Sequence, residues 1–127
     1  ISWYKSLFEK KEGVKYGEVD PIYAKRHCFP EASDNIKKVS PKTKILFIVR
    51  DPIKRAISHY KHQVAKGNEK RGVNEALRNV KNNHYIMCSK YAFQLKIYMK
   101  KFERERIRIL DSKILSSRFC VCRNNIW

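Results

Sequence analysis

Acidic residues are scarce in this chain of 127: 12 Asp and Glu stand against 29 Lys and Arg, a formal net charge of +17. That exceeds what solubility asks of a domain this size and favours an anionic partner, with phosphate, sulfate, nucleic acid and anionic lipid all open. Glycine and proline are also few, four of each, which excludes collagen-like repeats and low-complexity tails and leaves one compact domain. No apolar run approaches the roughly 20 residues of a membrane-spanning helix, and no charged segment, apolar segment and cleavage site open the chain. It begins at Ile1, beside Trp3 and Tyr4, in what reads as the middle of an element, so a fragment is expected. The compartment stays open, with cytoplasm preferred to secretory lumen.

Cysteine is sparse as well. Cys28, Cys88, Cys120 and Cys122 contain no repeated C-x-x-C, Cys120 and Cys122 make a bare C-x-C, and the nearest histidine to that pair in sequence is His84. A structural zinc site usually draws four soft ligands from two tight turns, so no metal is expected and the thiols read as buried or idle.

What is present is an alternation of helical and strand patterns. Trp3, Tyr4, Leu7 and Phe8 share one face of a short helix closed by charged residues and Gly13, and a short strand is predicted over 14–18. Asp20-Pro21 breaks it, and 24–41 reads as a connection with one helical turn over 34–39. The run K-I-L-F-I-V at 44–49 is short, β-branched and non-alternating, as in a strand buried on both faces of a parallel sheet. Asp51 then offers a cap and Pro52 a preset first helical position, followed by Ile53, Ala56, Ile57, Tyr60 and Val64 at helical spacing up to Gly67. Two further helices are predicted, over 73–80 and over 91–102, then a strand at 107–110 and a helical turn through Ile114 and Leu115. The class is α/β.

The segment K-I-L-F-I-V-R-D-P-I-K-R-A-I-S-H-Y at 44–60 carries the chemistry. Arg50 at the strand's end and Ser58 on the helix lie near the carboxyl edge of a sheet, where open α/β folds bind ligands. The helix start adds backbone N–H donors and the positive end of its dipole, and arginine binds oxyanions bidentately without losing its charge. The alternative is that Arg50 pairs with a carboxylate and Ser58 faces solvent. His59 and His62 read as surface histidines of a basic helix, with a catalytic histidine as the alternative. Glu18 and Asp20 read as turn formers ahead of Pro21, with an acid/base pair as the alternative. Lys100, Lys101, Arg104, Arg106 and Arg108 read as a solvated face, with a surface for an anionic acceptor as the alternative.

R-D-P-x-x-R-A-x-S-x-Y after a K-I-x-F-x-V strand resembles the 3′-phosphate-binding motif of sulfotransferases that use 3′-phosphoadenosine 5′-phosphosulfate (PAPS). The resemblance extends upstream through I-S-W-Y-K-S-L-F and G-E-V-D-P-I-Y, and downstream through S-K-Y-A-F-Q-L-K-I-Y-M-K-K-F and the strand after it, covering residues 1 to about 115. It implies that Arg50 and Ser58 hold the 3′-phosphate of the donor, and that Ser89 or Tyr91 reaches the nucleotide, with Tyr91 as a core residue the equal alternative. It also implies a P-loop-kinase-like parallel sheet flanked by helices, and transfer of a sulfuryl group from PAPS to an acceptor hydroxyl or amine, carbohydrate among the candidates, without a metal.

The departures bear on catalysis. The family's P-K-x-G-(T/S)-(T/S) phosphosulfate loop does not occur in these residues, the glutamate proposed as base in related members would precede Ile1, and Val19 stands where glycosaminoglycan-type members carry lysine. The sequence therefore reads as a partial sulfotransferase domain at 1–115, lacking the first strand and phosphosulfate loop, with an unassigned tail at 116–127. No catalytic base is assigned, and the fragment alone is expected to be inactive. The rival readings are a basic nucleic-acid-binding module, disfavoured because no nucleic-acid fold signature accompanies the charge, and a non-catalytic remnant.

Overall fold

The computed structural model describes residues 2–8 and 11–114. The elements are α1 (Ser2–Ser6), a 3-10 turn (Pro21–Ala24), α2 (Ala32–Val39), β1 (Ile45–Val49), α3 (Pro52–Ala65), α4 (Val73–Ala76), α5 (His84–Ser89), α6 (Tyr91–Lys101), a second 3-10 turn (Arg104–Arg106) and β2 (Ile107–Asp111). Residues 112–114 are helical; Leu115, Cys120, Cys122 and the rest of the tail lie outside the described residues.

The strands pair in parallel, Ile45 opposite Ile107 through Val49 opposite Asp111. Parallel neighbours need a long crossover, and α3 to α6 lie within it. The α/β class and parallel sheet follow the sequence reading, but burial on both faces of β1 does not. Alternation turns Phe47 toward α6, where it is buried and meets Tyr91 edge-on at 6.2 Å between ring centroids. Leu46 and Ile48 project the other way and remain 40% and 52% exposed, because no described element covers that face.

α3 forms as its sequence dictates. The Asp51 carboxylate accepts from the Lys54 N–H at 2.7 Å, Pro52 occupies the first turn, and Gly67 just beyond the end adopts φ 74°. α4 is shorter than predicted. Asn83 explains the break: its side-chain amide donates to the Ala76 carbonyl while its oxygen accepts from the Ile86 N–H, closing α4 and opening α5, a helix the periodicity did not show. α5 packs on α3 around buried Ala56, Ala76 and Tyr85, flanked by Tyr60 and Leu77. α2 is fastened to α6 by Lys101, which reaches Asp34 at 2.5 Å and the Ser33 hydroxyl at 3.0 Å.

The strand predicted over 14–18 is not formed. Glu18 is instead held by the Tyr4 and Tyr23 hydroxyls, the latter at 2.6 Å. Asp20 accepts from the Ile22 N–H and opens the first 3-10 turn, as its turn-forming reading requires.

Candidate functional site

Arg50 ends β1 and immediately precedes the start of α3. Its Nη2 donates to the Lys54 carbonyl at 3.2 Å and reaches the Arg55 carbonyl at 3.5 Å, laying the guanidinium along the flank of the helix. The Lys54 carbonyl is also the i−4 acceptor for the backbone N–H of Ser58. The folded-back arginine is thus drawn to the turn that carries Ser58, whose side chain is exposed. A permanent cation therefore lies beside the opening turns of a 14-residue helix at the carboxyl end of β1, with the exposed Ser58 one turn beyond the Lys54 carbonyl it meets.

Tyr91 joins this corner at the head of α6. Its hydroxyl accepts from the Arg50 backbone N–H at 3.3 Å while its ring packs on Phe47, so the same side chain lies at the site and in the core. Ser89 is buried, and its hydroxyl donates to the Tyr85 carbonyl at 3.1 Å. It lines a cleft of about 320 Å³ with Pro52, Ile53, Ala56, Ile57 and Lys90, which places it beside the opening turns of α3. The structure joins Arg50 to Tyr91 and lays the Arg50 guanidinium on the Lys54 and Arg55 carbonyls; Ser58 is exposed one turn on, and the Ser89 hydroxyl is engaged within its own helix.

The basic run near the end of α6 is partly paired. Arg106 meets Glu103 at 2.8 Å and the Lys42 carbonyl at 2.7 Å, and Lys101 is committed to α2. His62 is exposed as expected. His59 corrects its sequence reading: it turns inward, its ring 5.0 Å from Tyr85 and 5.3 Å from His84, with Nδ1 buried and without a hydrogen-bond partner. Burial, reinforced by the neighbouring His84, Arg55, Lys25 and His62, pushes its pKa down to about 4.

One cluster escaped sequence reasoning. His27 and Cys28, in the segment before α2, meet His84 and Cys88 of α5. The sole sequence signal was the i, i+4 spacing of His84 and Cys88, which places both on one helix face. Their partners lie more than fifty residues away and nothing local brings them together.

The family model described as sulfotransferase domain matches residues 16–116. The fold is similar to the crystal structure of a sulfotransferase from Alicyclobacillus acidocaldarius, with a TM-score of 0.74 and 26% sequence identity, over 91% of this chain and 50% of that one. The chain thus spans about half the length of that structure. No curated protein sequence matches.

Proposed function

Because this chain belongs to the sulfotransferase domain family, we propose that it supplies the 3′-phosphate end of a PAPS site. The protein it serves moves a sulfuryl group from that donor to an acceptor hydroxyl or amine. The observation that carries the reading is the Arg50 guanidinium lying along α3 at the turn of Ser58. In this reading Arg50, the Ser58 hydroxyl and the first-turn N–H groups receive the 3′-phosphate, and Tyr91 fixes the backbone at Arg50. The acceptor oxygen or nitrogen attacks sulfur in line, the bond from sulfur to the phosphate oxygen breaks, and adenosine 3′,5′-bisphosphate leaves. These residues position the donor. They offer no clamp for the charge that develops at the 5′-phosphate, and positioning without that stabilisation yields little rate.

Calorimetric titration tests the reading. Adenosine 3′,5′-bisphosphate should bind and adenosine 5′-phosphate, which lacks the 3′ group, should bind far less well. Arg50→Ala should weaken the bisphosphate by about 1.5–3 kcal/mol, the range for a hydrogen bond to a charged group, or roughly 10- to 150-fold. Equal affinity in wild type and Arg50→Ala would remove the assignment. The 127-residue chain incubated with labelled PAPS and sugar, phenol and amine acceptors should transfer no sulfate, and turnover would show that catalytic groups lie among residues given other roles above.

A further inference from the structure

His27, His84 and Cys88 place one ligand atom each within 4.8 Å of one another. His27 Nε2 lies 3.1 Å from His84 Nδ1, and the Cys88 sulfur lies 3.9 Å from His27 Nε2 and 3.8 Å from His84 Nε2. Cys28 brings a second sulfur to 3.7 Å from His84 Nδ1. A tetrahedral zinc site with metal–nitrogen bonds near 2.0 Å and metal–sulfur bonds near 2.3 Å has ligand-to-ligand edges of about 3.3–3.8 Å. The separations among His27, His84 and Cys88 lie close to that range, whereas Cys28 faces Nδ1 of His84 while Cys88 faces its Nε2, so Cys28 must move in to complete the set around one ion. We propose that His27, His84 and Cys88, closed by Cys28 drawn in as the fourth ligand, form a Cys₂His₂ site for a divalent ion of the zinc class, binding the segment before α2 to α5.

The chemistry of the donors fits. Two thiolates offset the charge of a divalent ion, and soft sulfur with imidazole selects zinc-class ions over calcium or magnesium. Thiolate coordination requires the thiols to give up their protons, so loading the site releases protons. Beside the cluster, His59 Nδ1 and Arg55 Nη1 are buried without hydrogen-bond partners.

One feature opposes the ion. The Gln94 amide is oriented by the Arg26 N–H at 2.6 Å and the Met87 carbonyl at 2.7 Å, and its nitrogen faces His27 Nδ1 at 3.1 Å. That favours the His27 tautomer with the proton on Nε2. Coordination through Nε2 moves the proton to Nδ1 and gives up this single neutral hydrogen bond, a loss much smaller than the binding free energy of a four-ligand zinc site. The resulting site is structural rather than catalytic, since all four positions are filled by protein. Through α5 it steadies the Ser89–Tyr91 junction that abuts Arg50.

Cobalt(II) titration of the reduced full chain, followed by visible absorption, tests the proposal. One equivalent should develop intense tetrahedral bands with thiolate charge transfer, and zinc should displace it. The bands should persist when Cys120 and Cys122 are both changed to Ser. Cys88→Ser and His84→Asn should each lower cobalt affinity at least tenfold and abolish the tetrahedral spectrum; His84 is exposed, so its variant remains informative if Cys88→Ser fails to fold. A weak octahedral spectrum in the wild type, tetrahedral bands that survive His84→Asn, or bands lost with the tail cysteines would overturn it.

Discussion

Tyr98 shows how one buried side chain sets a pH response. It is 3% exposed, its hydroxyl donates to the Tyr23 carbonyl at 2.7 Å, and burial raises its pKa to about 12. The unfolded chain loses this proton near pH 10, whereas the folded chain retains it to about 12. Stability from Tyr98 is therefore fully present below pH 10 and lost as pH rises toward 12, by on the order of 2 kcal/mol. Tyr98→Phe should cost about 1 kcal/mol at pH 7 through the lost hydrogen bond, and its denaturation midpoint should fall less steeply than that of wild type between pH 10 and 12. The helix over 91–102 that carries this tyrosine was readable from the sequence; its carbonyl partner 75 residues away was not.

At the scale of elements, the caps decide where the helices lie. Asp51 and Pro52 are adjacent to the residues they organise, so α3 and the corner it builds with Arg50 were legible from spacing. Asp51→Ala leaves the Lys54 N–H without its side-chain partner and should lower stability by about 1 kcal/mol in urea denaturation, with the slope unchanged. α5 was hidden for the opposite reason. Its six residues are too few to show a period, and its start depends on Asn83 bonding at once to Ile86 and to Ala76, a tertiary arrangement. The 14–18 segment failed as a strand because a strand needs a paired neighbour, and the Glu18 carboxylate is engaged by Tyr4 and Tyr23 instead.

Over the whole molecule, high positive charge coexists with exposed apolar side chains. Leu46 and Ile48 of β1 and Ile53 and Ile57 of α3 are all exposed, Ile53 to 69%. Repulsion between chains of charge +17 opposes their association at low ionic strength, and that protection disappears as the Debye length shrinks from about 30 Å at 0.01 M to about 3 Å at 1 M. Light scattering across that range should report a mass that rises with salt, and Ile48→Lys, on the open strand face, should reduce the rise. A mass independent of salt would show that these side chains are too dispersed to act as an adhesive surface.

Neighbouring residues settled the 45–49 strand, the Asp51-capped helix and the position of Arg50 against the opening turns of that helix, because caps, helical periodicity and strand propensity act over a few residues. The packing of α5 against α3 settled what lies between them: His59 turned inward, and Cys88 and His84 brought to face His27 and Cys28. Those contacts depend on surfaces meeting across half the chain, and an isolated histidine or cysteine has the same local signature whether its partner arrives or not.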